Sequence, residues 1–484
     1  MNKELRRISV ATLSMFLALF VSISVIQVFA VDELRADDRN VRTLYASYSA
    51  ARGPILVNGN PIARSVPSDN EFRFLRQYLE PELYSAVTGY FTLNQGSAGI
   101  EAALNDYLSG TANEQFLDQL SALVTGQNPR GAAVELTIDP AVQQAAFDAM
   151  AGQSGAVVAI DPATGDILAM VSTPGYDPNR LSAHSTASVI DAYNALISDP
   201  SNPLVNRAIA GDLYFPGSVF KVLVAAAAID SGEFTPESEF PNPPQLQLPL
   251  STSVINNAEG GTCGGNETVT LATALRLSCN IPFAQLALEL GEDELADYAE
   301  AFGFGQELEI PMEVTPSRYP SNLDDAQLML TGFGQYDVRV TPLQIAMISA
   351  AIANEGDLMK PTLVDRIIAP DLSTVLETEP EVWAEPISAS TARTLTRMLV
   401  DGVADGAASN AAIDGIEVAG KTGTAETGPE QPYTLWFTGF APADDPQVAV
   451  AVVVENGGGQ GQNAFGNQVA APIARQVMEA VLNR

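Results

Sequence analysis

Two short apolar runs, Ala156–Ile160 and Asp166–Val171, flank the tract Asp161-Pro162-Ala163-Thr164-Gly165. Strand-length runs about a turn of Asp, Pro and Gly read as a β-hairpin. The next clear strand candidates come only far downstream, at Ile416–Ala419, Tyr433–Phe440 and Gln447–Val454. Most periodic segments in between are helical: Val219–Ile229, Leu271–Leu277, Phe283–Leu290, Leu343–Asn354 and Ser390–Val400. An amphipathic helix, Val469–Leu482, closes the chain. Strands at both ends of a long helical stretch must meet in space to bury their apolar faces. The expected fold is α+β: an antiparallel sheet of these strands, flanked by helices and closed around an all-α subdomain.

The region before the hairpin is heterogeneous. Strand-like pieces lie near Pro54–Val57 and Phe72–Tyr78, and helical pieces around Ile100–Tyr107 and Glu114–Val124. Gln127–Val134, rich in Gly, Pro and Asn, reads as a linker. The strand-like Val134–Ile138 and a short helix over Pro140–Ala151 follow. At the start, Ile8 to Val31 carries no charge, which is long enough to span a hydrocarbon layer about 30 Å thick. Lys3, Arg6 and Arg7 precede it, and Asp32, Glu33, Asp37 and Asp38 follow. That asymmetry places the N-terminus in the cytoplasm and the rest outside. Val28-Phe29-Ala30 also resembles a signal-peptide cleavage site, but signal-peptide apolar cores are shorter, so a retained anchor is the preferred reading. Both readings export the chain. Outside the cytosol, Cys263 and Cys279 read as a disulfide, with two buried free thiols as the alternative. The expected divisions are 1–32 for tail and anchor, 33–130 for an N-terminal domain, and 131–484 for the main domain.

Composition narrows the chemistry. The 484 residues hold 24 Lys plus Arg against 58 Asp plus Glu, a net charge of −34, which leaves no electrostatic footprint for nucleic acid. One His and two Cys cannot build a His/Cys zinc cluster or an iron–sulfur site, and no D-x-D-x-D-G loop for calcium occurs. No cofactor or metal is therefore expected. A serine enzyme with a histidine base would have to use His184.

The four lysines are Lys3, Lys221, Lys360 and Lys421. Lys221 sits in Pro216-Gly217-Ser218-Val219-Phe220-Lys221, ahead of an apolar run. If that run is a helix, Ser218 lies in its first turn and Lys221 shares its face. The positive helix end and burial both disfavour an ammonium. A neutral lysine within hydrogen-bonding distance of a serine hydroxyl is a general base that needs no histidine. Lys421-Thr422-Gly423-Thr424 follows a strand-like run: the ammonium and Thr hydroxyls can hold a carboxylate, and Gly lets a ligand approach the backbone. Ser278-Cys279-Asn280 follows a helix-like run, where the serine can relay a proton and the asparagine can orient substrate or lysine. Ser68-Asp69-Asn70 matches the same pattern but lacks the preceding helix and reads as a turn.

S-x-x-K, S-x-N and K-T-G, in that order, are the signature set of penicillin-binding proteins and serine β-lactamases. The sequence resembles a class B penicillin-binding protein. The likeness extends through Leu136–Asp139, Gly155–Met170, Ser172–Asn179, Val340–Gln344, Ala419–Glu426 and Trp436–Pro442, covering about residues 131–484. Leu5–Ser9, Leu34–Asp37 and Arg39-Asn40 look most like the family's short actinobacterial members. The resemblance implies a membrane-anchored D,D-transpeptidase that cross-links peptidoglycan stem peptides through a Ser218 acyl-enzyme. β-Lactams would acylate the same serine. It implies Lys221 as base, Ser278 and Lys421 as proton relay, and Asn280 as a substrate contact. Thr422, Gly423 and Thr424 would form the carboxylate site, and the N–H groups of Ser218 and Thr424 the oxyanion hole. Residues 33–130 would be a non-catalytic pedestal, without glycosyltransferase activity, that meets a SEDS-family glycosyltransferase and other division or elongation proteins. The family usually has His-Ala before the Trp-Phe pair, whereas Thr434-Leu435 stand here. A carboxypeptidase or β-lactamase on the same scaffold, and a non-catalytic division scaffold, are the alternatives.

Overall fold

The computed structural model describes residues 2–26, 50–70, 72–115, 130–258 and 260–484. Helix α1, Asn2–Ser24, contains one apolar stretch, Lys3–Ser24, long enough to cross a membrane. Ser9 and Thr12 donate back to the carbonyls of Leu5 and Ile8, so their hydroxyls are satisfied within the helix, as a lipid environment requires. The end of the apolar run, Val28–Ala30, the acidic flank at 32–38 and the motifs at 34–40 lie outside the described residues. So does most of the helix expected over Glu114–Val124, of which Glu114 and Gln115 join Asn113 in a 3₁₀ turn.

Strands β1 (Ile55–Val57) and β2 (Asn60–Pro67) form a hairpin about Asn58-Gly59, and β3 (Phe74–Tyr78) pairs with β2. Both turn residues have positive φ, 48° and 72°, the conformation an Asn-Gly hairpin turn demands. That signal marks β2, which the strand expectations above omit. Strand β4, Ala133–Leu136, runs parallel to β1. Ala133, expected in the linker, is thus a strand residue, as is Val134, where the expected linker and strand overlap, while 127–129 fall outside the description. After β4 come α2 (Pro140–Ala149), the hairpin strands β5 (Gly155–Ile160) and β6 (Ile167–Thr173), and α3 (Lys221–Asp230). Then follow α4 (Leu271–Leu277), α5 (Asn280–Leu290), α6 (Pro342–Ala353), β7 (Val364–Ile368), β8 (Thr374–Glu377) and α7 (Ala389–Ala404). Strands β9 (Ala419–Ala425), β10 (Thr434–Ala441) and β11 (Val448–Val454) and helix α8 (Gly466–Leu482) complete the chain.

The N-terminal sheet has six strands in the order β8-β7-β4-β1-β2-β3. It crosses the division expected at residue 130, because β7 and β8 reach back from deep in the main domain to cover β4. The two regions are further strapped by polar contacts. Asn179 exchanges hydrogen bonds with the Tyr78 backbone, and Ser182 donates to the Arg76 carbonyl.

The second sheet has the order β9-β10-β11-β5-β6, all antiparallel. The expected five strands from the two ends of the chain do meet. Alternation divides β5 and β11 between two cores. Val158, Ala451 and Val453 pack toward α3 and α6. Val157, Val450, Val452 and Val454 pack toward α2 and α8. The intervening subdomain, expected to be all-α, is helical where it packs but also carries short ladders, such as 239–241 with 268–270 and 245–247 with 254–256. Strands of three residues are too short to declare themselves by alternation.

One boundary shift matters. The strand expected at Ile416–Ala419 is β9, which begins at Ala419 and runs through the K-T-G residues. Gly420 and Gly423 disguise it, since Gly is depleted in strands. Gly420 is needed there: a Cβ would come within 2.6 Å of the Phe437 ring.

Candidate active site

Ser218 lies in a 3₁₀ turn, Gly217–Phe220, that runs straight into α3, so Lys221 opens the helix proper. Gly217 has φ 54°, and a Cβ on it would stand 3.1 Å from the Ala425 Cβ. Its N–H donates to the Gly334 carbonyl at 2.9 Å. The Ser218 turn is therefore held between edge strand β9 and the 331–336 loop. Behind it, the Trp436 indole donates to the Phe215 carbonyl at 3.0 Å, and the Tyr214 ring meets Trp436 edge-on. Thr434, Leu435 and Trp436 are all buried, so the departure from His-Ala falls in the core, not on a rim of the site.

Ser278, Lys221 and Lys421 converge. Ser278 caps the end of α4 with φ 62°. A non-glycine residue in this conformation is uncommon, which fits a position where the hydroxyl matters. Lys421 donates to the Ser278 hydroxyl at 2.7 Å and to the Thr422 carbonyl at 2.8 Å. Lys221 Nζ lies 2.8 Å from the Ser278 carbonyl, 2.8 Å from Asn280 Oδ1 and 3.4 Å from the Ser278 hydroxyl. The expected Lys221–Ser218 hydrogen bond is not formed. A neutral amine has two N–H groups and one lone pair. The two close acceptors take both donors and leave the lone pair to receive a proton.

Lys221 and Lys421 are 0 % and 2 % exposed, and neither has an ion-pair partner among the described residues. Burial first, and the Lys421 charge second, hold the Lys221 ammonium well below the usual lysine range. Burial alone pushes Lys421 down to about 7. The pair can therefore hold one amine neutral and let the other exchange a proton near neutral pH.

The Thr hydroxyls of the expected carboxylate site are not equivalent. Thr422 donates to the Ala407 carbonyl at 2.8 Å, which occupies its only proton. Thr424 accepts from the Gly466 N–H at 3.2 Å and keeps its proton for an anion. Gly423 packs beside Pro216 and Val219; a Cβ there would stand 3.0 Å from the Pro216 carbonyl.

Asn280 is fixed by residues the sequence reasoning missed. Asn257 Oδ1 caps α5, accepting from the N–H groups of Asn280 and Ile281, and the Asn280 amide donates to the Asn256 carbonyl. Asn242, fully buried, donates to the Cys263 and Asn266 carbonyls and accepts from the Cys263 N–H. Cys263 and Cys279 form a disulfide across 16 positions. No motif marks a cap that lies 23 positions upstream of the residue it holds. Removing the bridge with Cys263→Ser and Cys279→Ser is expected to cost about 3 kcal/mol in the chain-entropy account. It should also slow acylation of Ser218, because the loop carrying Ser278 and Asn280 loses a brace. Thermal unfolding and acylation rates of the double variant check this, and unchanged values in both would contradict it.

His184 lies elsewhere. Its Nε2 is 3.0 Å from the Phe74 carbonyl and its Nδ1 is 2.6 Å from the Asn70 amide, at the N-terminal sheet. The competing match at 68–70 thus belongs to that region. Among the described residues no group of three or more His, Cys, Asp or Glu could hold a metal.

Residues 155–479 match the family described as "Penicillin binding protein transpeptidase domain". The chain is a penicillin-binding protein. Residues 52–134, the N-terminal sheet up to β4, match the "Penicillin binding protein A dimerisation domain". Along its full length the chain is 43 % identical to peptidoglycan D,D-transpeptidase PbpA of Mycolicibacterium smegmatis, covering 99 % of it. It is 42 % identical to the Mycobacterium tuberculosis protein of that name, again covering 99 %. The ceftriaxone acyl-enzyme of penicillin-binding protein A from M. tuberculosis superposes with a TM-score of 0.86 at 41 % identity, covering 90 % of this chain and 100 % of that one. The expected likeness to the short actinobacterial members of the family is borne out.

Proposed function

We propose that this penicillin-binding protein is a D,D-transpeptidase acting through a Ser218 acyl-enzyme. The carrying observation is the Ser278 hydroxyl set between two buried lysines that have no carboxylate partner among the described residues. Neutral Lys221 takes the Ser218 proton as the oxygen attacks the penultimate D-Ala carbonyl of a stem peptide. The N–H groups of Ser218 and Thr424 hold the oxyanion. When the C–N bond breaks, the leaving D-Ala amine takes a proton through Ser278 from the lysine pair. Thr424, with Lys421 nearby, holds the terminal carboxylate, and Asn280 orients Lys221. The amine of a second stem then attacks the ester, Ser218 recovers its proton, and the cross-link is made. β-Lactams enter by the first half of this route.

In this reading residues 1–32 are the cytoplasmic tail and anchor, and residues 33–130 are the pedestal, completed by strands lent from the transpeptidase domain, 131–484. The catalytic domain lies outside the membrane, where a SEDS-family glycosyltransferase supplies new strands and division or elongation proteins meet the pedestal. Incubation with a D-Ala-D-Ala donor peptide and an amine acceptor is expected to give the joined peptide. Release of D-Ala by water alone, or rapid turnover of a β-lactam, would replace this reading with a hydrolytic one.

A further inference from the structure

Strand β9 lays out the site in a fixed order. Lys421 stands at one end, touching Ser278. Gly423, packed beside Pro216 and Val219, and Ala425, packed beside Gly217, follow at the level of Ser218. Glu426, exposed, comes next. From Lys421 to Glu426 the backbone spans about 17 Å at strand spacing. A donor whose terminal carboxylate lies toward Lys421 and Thr424, with its scissile carbonyl at Ser218, must run its remaining body toward Glu426.

Glu426 is held in register with the nucleophile. With the Gln335 amide oriented to satisfy both groups, it donates to the Glu426 carbonyl at 3.3 Å and accepts from its N–H at 3.2 Å. Gln335 adjoins Gly334, whose carbonyl takes the Gly217 N–H. Glu426 has no ion-pair partner among the described residues, and no Lys, Arg or His occurs from residue 422 to 474. Arg339, beside Phe215 of the nucleophile loop, is committed to Asp337 at 3.5 Å and to the Phe215 ring at 3.4 Å. Glu430, exposed in the same loop, adds to the negative potential. The strand is therefore asymmetric: the lysine pair stands where the donor ends, and the carboxylates of Glu426 and Glu430 stand where its body leaves.

We propose that Glu426 is a specificity-determining residue that selects donor stems whose side-chain amine, upstream of the scissile bond, is still free. The proposal rests on the transpeptidase reading. Cross-linking needs an amine on the acceptor stem, so a stem not yet used as acceptor carries that amine when it serves as donor. At neutral pH it is an ammonium. An exposed carboxylate–ammonium contact is worth up to about fivefold in rate or affinity, and salt weakens it. The enzyme then favours strands that have not yet been consumed as acceptors.

The test uses the full chain in detergent and two D-Ala-D-Ala donor peptides, identical except that the upstream amine is free in one and N-acetylated in the other. Wild type is expected to be acylated about fivefold faster by the free-amine donor at low salt, with the difference falling as salt rises. Glu426→Gln should bring the ratio of the two donors close to one, Glu426→Lys should invert it, and Glu426→Asp should keep part of it. A wild-type ratio near one, or a ratio unchanged in Glu426→Gln, overturns the proposal. If neither donor acylates wild type, the transpeptidase reading fails and takes this proposal with it.

Discussion

Lys221→Met and Lys221→Arg are both expected to slow acylation of Ser218 by about 10³-fold, within the range general-base catalysis supplies. The two variants fail for different reasons. Met is close to Lys in shape and leaves the site apolar, but it has no lone pair for the serine proton. Arg keeps the donors but stays protonated at any pH the protein survives, so it cannot accept. It also places a fixed charge in a fully buried position beside Lys421. Arg is the less secure fold, and Met keeps the test informative if Arg fails. Rates with a β-lactam, alongside thermal unfolding, separate lost chemistry from lost structure. The wild-type pH profile reads the same pair. Acylation falls on the acid side as Lys221 gains its proton. A second limb near pH 7 follows Lys421, whose amine is pushed down to about 7. These limbs belong to the coupled pair, and the limb near 7 should disappear in Lys421→Met. Rates for either Lys221 variant within tenfold of wild type would remove Lys221 from the role of base.

The motifs of the proposed site were legible because they are local. In Ser218–Lys221 and Lys421–Thr424 the paired groups stand three positions apart, and lysine is so rare in this chain that both stood out. The split sheet was legible too, since β5, β6 and β11 hold continuous apolar runs and β10 carries Leu435-Trp436-Phe437. Non-local features were not. β4 draws its partners from β1 and β7, so a Gly- and Pro-rich tract that looked like a linker ends in a central strand. Strand β9 hid behind glycines that its neighbours require. Asn242, Asn257 and Gln335 act through backbone groups distant in sequence, and an asparagine that caps a remote helix looks like any loop asparagine. The left-handed backbone of Ser278 is a tertiary outcome for the same reason: local propensity would have chosen Gly or Asn there.

Ser218 carries the largest effect of all. Removing a serine nucleophile costs on the order of 10⁶-fold even when its neighbours stay in place. Ser218→Ala should fold as wild type does, because the Ser218 hydroxyl makes no hydrogen bond among the described residues and Ala suits a helical turn. The most direct measurement is the intact mass of the full-length protein after exposure to penicillin G. Wild type is expected to gain the mass of one whole antibiotic, since opening the lactam ring joins it to the serine without loss of atoms, and to hold it far longer than it takes to form. Ser218→Ala is expected to gain nothing. An adduct of equal yield on Ser218→Ala, or no adduct on wild type, would contradict the account.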